Sequence, residues 1–220
     1  MKKVLILGGK GTGSVIANSI IHANSLGYKE YEFVGYVNDN EDEIEGYPVL
    51  GTFSDIGRLI EEGYYFIYTV YKMGEQDARM DLFEKLDIPD SRLCTFIHPQ
   101  AYVAPSAEIG PGCVVLANSS ISPMTTIGKC SLILNNVNIG HDNKIGDFTK
   151  FTANSSIGGD LVIGDGAWFG LNCTVRGKVN IGERSVIGIG AVLTKDVGED
   201  EIWVGNPARF HKTNDDEIAM

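Results

Sequence analysis

The sequence lacks the long apolar run, 18 residues or more, that a helix needs to cross a bilayer. Its opening segment, MKKVLILGGKG, reaches glycine after four apolar residues, which is too short for the core of a signal peptide. Basic residues are few as well: 18 Lys and Arg against 29 Asp and Glu give a formal net charge of -11, which opposes binding to nucleic acid or an anionic membrane. We therefore expect a soluble, cytoplasmic protein without membrane insertion or a nucleic-acid partner.

Cysteine is scarce and widely spaced. Cys94, Cys113, Cys130 and Cys173 are separated by 19, 17 and 43 positions, and no Cys-x-x-Cys occurs. This spacing predicts neither a zinc knuckle nor a compact disulfide framework. We expect all four to be small buried residues. An apolar content of 43% in 220 residues is enough for one large domain or two modest ones.

An internal repeat fills the second half of the chain. Ile-Gly pairs begin at 109, 127, 145, 163 and 181, always 18 residues apart. Steps of six starting at Ile97 meet only apolar residues. These seventeen positions are Ile97, Val103, Ile109, Val115, Ile121, Ile127, Ile133, Ile139, Ile145, Phe151, Ile157, Ile163, Phe169, Val175, Ile181, Ile187 and Leu193.

A six-residue period fits neither a helix nor an alternating strand, but it fits a solenoid with three flat faces and 18 residues per coil. The pattern predicts a left-handed parallel β-helix with about five coils and a height of about 25 Å. Small residues stand two places before most inward positions, and we expect the glycine after many of them to free the backbone to turn. Such coils bury little alone, so lateral packing as a trimer is expected.

The first ninety residues are typical of a small Rossmann-like α/β domain. The glycine loop GGKGTG is an imperfect dinucleotide fingerprint, because Ser14 stands where a third Gly or Ala is usual. It is either a simple turn or a phosphate-binding loop, with Asp39 near a ribose or base. The short domain favours a nucleotide-sugar over NAD. The predicted elements are a strand at 2–7, a loop at 8–13, a helix at 15–22, strands at 32–39 and 64–70, and a helix at 75–86.

His141 and Asp142 lie in the repeat, in the segment NIGHDNKIGD. Two residues after inward Ile139, the imidazole is expected at an edge or outer face of the prism. There it could act as a general base, with Asp142 accepting its other ring N–H. Alternatively, the pair could lie in a turn without any catalytic role. A zinc site between subunits would need three imidazoles, and the body of the repeat supplies one, so no metal is predicted.

Several segments together resemble one known family from end to end. They are the glycine loop, the entry FIHPQAYVAPSAEIG, the hexapeptides, GHDNKIGD and the closing WVGNPARF. The chain resembles the bacterial sugar acyltransferases, which include NeuD-type sialic acid O-acetyltransferases and PglD- and PerB-type nucleotide-amino-sugar N-acetyltransferases. The resemblance implies a homotrimer, acetyl-CoA in the groove between two β-helices, and a nucleotide-activated amino sugar on the N-terminal domain.

The resemblance also implies roles for individual residues. His141 would be the base, Asp142 its partner, and the amide of Gly159 would meet the thioester carbonyl. Residues implied to bind acetyl-CoA are Lys150, Gly159, Gly188, Ile189, Gly205, Pro207 and Ala208. Residues implied to bind the nucleotide-sugar are Gly9, Lys10, Gly11, Thr12, Asn38, Asp39, Gly74 and Arg79.

Three departures from the family pattern bear on the substrate. Thr12 stands where the family loop has His, and Lys150 replaces a second His near the acetyl carbonyl. Lys150 could still donate a hydrogen bond, but its flexible stem should position it less well than an imidazole. A Gly-Asn-Asn segment reads Gly74-Glu75-Gln76 here.

The predicted organisation is a Rossmann-like nucleotide-sugar domain (1–92), a β-helix acetyltransferase domain (93–210) and a polar tail (211–220). The predicted function is acetyl transfer from acetyl-CoA to the amine, at the 4-position, of a nucleotide-linked amino-deoxy sugar for a surface glycan. O-acetylation of a sialic-type sugar is the alternative. A non-enzymatic trimeric scaffold is a third reading, against which the nucleotide-type domain argues.

Overall fold

The computed structural model describes residues 1–71 and 75–214. Its N-terminal part is a three-stranded parallel sheet in the order β2-β1-β5 with helices around it, so the predicted Rossmann-like start is confirmed. A two-residue hairpin, β3-β4, and a short helix, α2, are additions that the sequence patterns did not reveal. The elements are β1 (Lys2–Leu7), α1 (Thr12–Ser25), β2 (Tyr31–Val37), β3 (Glu43–Ile44), β4 (Tyr47–Pro48), α2 (Ile56–Glu61), β5 (Tyr65–Tyr68) and α3 (Gln76–Lys85).

Helix α1 packs onto this sheet through one apolar stripe. Ile16, Ala17, Ile20 and Ala23 recur at the spacing of one helix face, and all are buried. They join Val4 and other sheet residues in one core cluster. The helix begins at Thr12, so Thr12 and Gly13, the last two residues of the loop predicted at 8–13, belong to α1.

Residues 96–193 form a three-sided prism of two-residue strands, the left-handed β-helix that the repeat predicts. Each strand up to Thr174–Val175 pairs in parallel with the strand 18 residues later, as Ile121 does with Ile139. Face 1 contains β6 (Phe96–Ile97), β9 (Val114–Val115), β12 (Leu132–Ile133), β15 (Lys150–Phe151), β18 (Trp168–Phe169) and β21 (Val186–Ile187). Face 2 contains β7 (Tyr102–Val103), β10 (Ser120–Ile121), β13 (Asn138–Ile139), β16 (Ser156–Ile157), β19 (Thr174–Val175) and β22 (Val192–Leu193). Face 3 contains β8 (Glu108–Ile109), β11 (Thr126–Ile127), β14 (Lys144–Ile145), β17 (Val162–Ile163) and β20 (Asn180–Ile181).

Two longer strands close the prism. β23 (Glu201–Val204) continues face 1, and β24 (Arg209–Thr213) pairs with it in antiparallel orientation. The polar tail predicted to begin at 211 is therefore part strand, because β24 extends to Thr213 and its residues 212 and 213 pair with β23. Residues 215–220 lie outside the described part of the chain.

The interior of the prism consists of the residues found by stepping in sixes. The second residue of every strand from β6 to β22 points inward, and together they form one continuous apolar cluster. Phe151 and Phe169 stack within it with ring centroids 4.5 Å apart. The four cysteines are free and buried, as predicted.

The prediction for the glycines that follow these residues is wrong. Gly128 and its equivalents do not have positive φ; a Cβ at Gly128 would instead lie 2.6 Å from the carbonyl carbon of Gly146 in the next coil. Close approach of coils, rather than backbone freedom, excludes a side chain there. The left-handed turns fall two places later in each hexapeptide. They are Gly112, Asn118, Met124, Cys130, Asn136, Asp142, Phe148, Asn154, Asp160, Gly166, Asn172, Lys178, Arg184 and Gly190.

The N-terminal sheet and the prism share apolar contacts across face 1. Outward Val114 and Leu132 cluster with Val4, Ile6 and other residues of the N-terminal sheet. The boundary proposed at residue 92 falls just before Leu93, whose backbone bridges to Phe66 of β5. None of the helices in the described residues is long and apolar enough to cross a membrane.

Candidate active site

His141 and Asp142 occupy the turn between β13 and β14, on the edge where face 2 meets face 3. The Nδ1 of His141 lies 2.7 Å from Oδ2 of Asp142. The side chains are 62% and 51% exposed, so the imidazole is open to a ligand, as the repeat frame predicted. An ionised carboxylate only accepts hydrogen bonds, so in the neutral imidazole Nδ1 would carry the proton and Nε2 the lone pair. This tautomer suits a general base.

Gly159 lies one coil beyond His141 on the same edge. A Cβ at Gly159 would lie 3.0 Å from Nε2 of His141 and 2.9 Å from its carbonyl oxygen. Only glycine therefore leaves the imidazole in place. Within the residues that the structure describes, the Gly159 N–H makes no hydrogen bond, so it remains a free donor beside the imidazole.

Two further residues on this edge escaped the sequence analysis. Asp160 donates its N–H to the carbonyl of His141, and one of its carboxylate oxygens lies within 4.8 Å of ligand atoms of both His141 and Asp142. Gly177 follows Gly159 by a further coil. One step of 18 residues from the His-Asp pair finds Asp160, and a second step finds Gly177. One imidazole and two exposed carboxylates could coordinate a cation, but such surface groups commonly occur without one.

An apolar groove of about 400 Å³ lies on a different edge, where face 1 meets face 2. Ile189, 71% exposed, and Gly188 both line it, as does Val204 of β23. The other lining residues are Thr152, Trp168, Gly170, Leu171, Val186, Ile187 and Ile202. Gly205, which has φ of 94°, Pro207 and buried Ala208 follow Val204 in the turn between β23 and β24.

Lys150 takes a different place from the one its assignment to acetyl-CoA implied. Its side chain leaves face 1 toward the N-terminal domain, is 5% exposed, and donates from Nζ to Oγ1 of Thr12 at 3.1 Å. Nζ also lies 4.8 Å from the ring centroid of Tyr71 and 4.6 Å from that of Trp168. Burial and the two rings restrain the stem of Lys150, whose position was expected to be less well defined than that of an imidazole.

The residues assigned to the nucleotide-sugar fall into two groups. Gly9, Lys10 and Gly11 form the loop before α1, and Thr12 is the first residue of that helix. A Cβ at Gly11 would meet nothing within 4 Å, so this part of the loop is open. Asn38 instead holds the loop from within: its amide donates to the carbonyl of Gly8, and its oxygen accepts from the N–H groups of residues 40 and 41.

Asp39 and Arg79 are also engaged within the fold. Asp39 accepts the N–H of Phe53 at 2.8 Å. Arg79 is 3% exposed and donates through Nη2 to the carbonyls of Phe148 and Gly166, which ties α3 to the prism. Gly74 lies outside the described residues.

Two histidines outside this site, His22 and His98, form a pair of their own. Nδ1 of His22, in the last turns of α1, lies 3.1 Å from Nε2 of His98 at the base of the prism. Nδ1 of His98 accepts the N–H of Gln100, so its Nε2 carries the proton and donates to His22. Burial, followed by the nearby His22, lowers the pKa of His98.

Comparison with known proteins agrees with this architecture. Residues 3–86 match the PglD N-terminal domain family. UDP-N-acetylbacillosamine N-acetyltransferase of Bacillus subtilis is 31% identical over 122 residues, which cover 53% of the chain and 52% of that relative. The match thus spans about half the length of this curated relative.

Two solved structures match nearly the whole chain. The acetyltransferase domain of PglB from Neisseria gonorrhoeae, in complex with acetyl coenzyme A, has a TM-score of 0.82 at 27% identity and covers 96% of this chain and 99% of its own. A variant of perosamine N-acetyltransferase from Caulobacter crescentus, in complex with CoA and GDP-perosamine, has a TM-score of 0.81 at 25% identity and covers 96% and 98%. The chain is thus similar over nearly its whole length to the acetyltransferase domain of PglB and to a perosamine N-acetyltransferase, and its first domain matches the PglD N-terminal domain family.

Proposed function

We propose that the protein is an acetyl-CoA-dependent N-acetyltransferase that acts on a nucleotide-linked amino-deoxy sugar. The observation that carries this proposal is the His141–Asp142 pair with the free N–H of Gly159 beside it on an exposed edge of the prism. The relatives support the reaction class, because they are named as acetyltransferases. Two of their solved structures contain acetyl-CoA, or CoA with a nucleotide-linked amino sugar. Transfer to the 4-amino group, for a surface glycan made in the cytoplasm, is the finer form of the proposal.

The geometry supports a direct transfer. The neutral amine of the sugar attacks the carbonyl carbon of the thioester while Nε2 of His141 takes the amine proton. Asp142 holds the other ring nitrogen and stabilises the imidazolium that forms. The N–H of Gly159 donates to the oxyanion. The carbon–sulfur bond then breaks, the amide forms, and the CoA thiolate leaves with the proton from the imidazolium.

The proposed assembly is a homotrimer with active sites shared between subunits. His141 lies on the edge between faces 2 and 3, whereas the groove at Gly188 and Ile189 lies on the edge between faces 1 and 2. A pantetheine arm in the groove of one prism would reach the His141 edge of a neighbour when two such edges meet. We assign the groove and the turn at Gly205–Ala208 to acetyl-CoA, and the loop at Gly9–Thr12 to the nucleotide-sugar.

Incubation with acetyl-CoA and UDP-, dTDP- and GDP-linked amino sugars tests this function. Release of free thiol with at least one sugar, together with a product that carries one added acetyl group, is the expected result. Release with a sialic acid instead would favour the O-acetyltransferase alternative. A folded trimer that releases no thiol with any acceptor would instead favour a non-enzymatic scaffold.

A further inference from the structure

Two of the three positions that depart from the family pattern contact each other. Lys150 and Thr12 are 138 residues apart in sequence, yet the lysine Nζ donates to the threonine Oγ1 at 3.1 Å. Thr12 is the first residue of α1, a helix of 14 residues. The contact therefore places an amine from the β-helix at the N-terminus of the first helix of the other domain.

This is an unfavourable place for a cation. The N-terminus of a helix carries partial positive charge, and α1 has neither a side-chain cap nor an acidic residue in its first turn. Among the described residues no carboxylate forms an ion pair with Lys150, and the neighbouring charged group is Arg79, which is also buried. Burial, followed by repulsion from Arg79, lowers the pKa of Lys150 to about 8.

The amine of Lys150 has donors that no described protein group uses. An ammonium group has three donors, and within the described residues the one hydrogen bond of Nζ is to Thr12, while Tyr71 and Trp168 present only ring faces. Trp168 also lines the apolar groove, and the loop at Gly11 is open. Nζ of Lys150 thus lies between Thr12, which follows the glycine loop, and the ring of Trp168, which lines the groove.

We propose that Lys150 is a specificity-determining residue that binds an anionic oxygen group of the acceptor together with the N–H groups at the start of α1. An anion there would neutralise the buried amine and the helix terminus at once. The group is either the diphosphate of a nucleotide-sugar or a sugar carboxylate. This inference rests on the proposed function, since it moves Lys150 from acetyl-CoA to the acceptor.

Calorimetry on the full-length protein with UDP, GDP and N-acetylneuraminate tests the inference and separates the two sources. Lys150→Met should lower the affinity for the anion that normally occupies the site at least tenfold, about 1.4 kcal/mol. It should leave the affinity for acetyl-CoA within twofold of the parent. Lys144→Met, at an exposed outward position of face 3, is the matched control. Equal affinities of parent and Lys150→Met for all three anions would overturn the inference.

A second measurement needs no variant. An anion beside Lys150 raises its pKa, so binding at pH 8 should take up a fraction of a proton per site. Titrations in buffers of different ionisation enthalpy measure this uptake, and none is expected at pH 6, where the amine is already charged. Absence of uptake at pH 8 with a bound anion would contradict the inference. If the protein transfers acetyl groups but Lys150→Met does not change anion binding, this inference alone is refuted. If Lys150→Met weakens anion binding but the protein transfers no acetyl group, the proposed function alone is refuted.

Discussion

Gly159 follows His141 by one full coil, and a Cβ at Gly159 would lie 3.0 Å from Nε2 of that imidazole. A methyl group there would displace the ring or be displaced by it, and a shift of about 1 Å at a reacting group can cost about 10²-fold in rate. We expect Gly159→Ala to lower turnover by about 10²-fold and to leave the melting temperature within a few degrees.

The control for this substitution is Gly57→Ala in α2, where a Cβ would meet nothing within 4 Å. It should retain full turnover. If Gly159→Ala retained full turnover too, the proposed place of the thioester beside His141 would be wrong.

His141→Ala should keep the fold and lower turnover by about 10² to 10⁴-fold, the usual effect of losing a general base. Asp142→Asn should cost less, because an amide oxygen still accepts the ring N–H but supplies no charge to hold the imidazolium. Asn also tolerates the left-handed backbone of Asp142, whose φ is 57°, so this change leaves the turn intact. Steady-state kinetics on both variants measure the order, and a larger loss from Asp142→Asn would contradict it.

Gly11→Ala should lower the affinity for the nucleotide-sugar at least tenfold, while the affinity for acetyl-CoA stays within a few-fold of the parent. The reason is that a methyl group at this open point of the loop would obstruct close approach of phosphates to the amides. Gly63→Ala is a matched control, since Gly63 has a similar φ (91° against 83°) and equally open surroundings. Calorimetry that finds equal losses in the two variants would assign the effect to backbone strain alone.

Subunit mixing tests the shared site. His141→Ala and Ile189→Asp should each be nearly inactive, because one removes the base and the other places a charge in the apolar groove. Ile189 is so exposed that the substitution should not unfold the prism. Re-equilibrated mixed trimers should regain activity at sites that combine two intact halves. Mixed trimers without any recovery would mean that each site belongs to one subunit.

The pH dependence of stability follows from Lys150. Its pKa is about 8 in the fold against an ordinary value of 10.5, so between these values the unfolded chain holds more protons. The free energy of unfolding should therefore rise with pH across this window, by about 3 kcal/mol at most, relative to Lys150→Met. Denaturant unfolding from pH 7 to 10.5 measures the difference between the two proteins, and parallel curves would contradict the burial of a charged amine.

The repeat made the prism predictable, because one inward residue in six is enough to specify three faces per coil. The edge position of His141 followed from the same frame. The contact between Lys150 and Thr12 could not be foreseen, since it depends on how the N-terminal domain seats on face 1. The pairing of His22 with His98 has the same origin. The role of the glycines after each inward residue was misjudged, because the close approach of neighbouring coils is a tertiary property that a local reading of one hexapeptide does not contain.

The central claim is that His141 promotes acetyl transfer to an amine. It is tested most directly by comparing a nucleotide-linked amino sugar with its hydroxyl counterpart, for the parent and His141→Asn, with thiol release and product mass as readouts. The account predicts an amide product from the amino sugar with the parent, a loss of at least about 10²-fold with His141→Asn, and no ester from the hydroxyl sugar. Equal rates for parent and variant, or an ester product formed as fast as the amide, would contradict it.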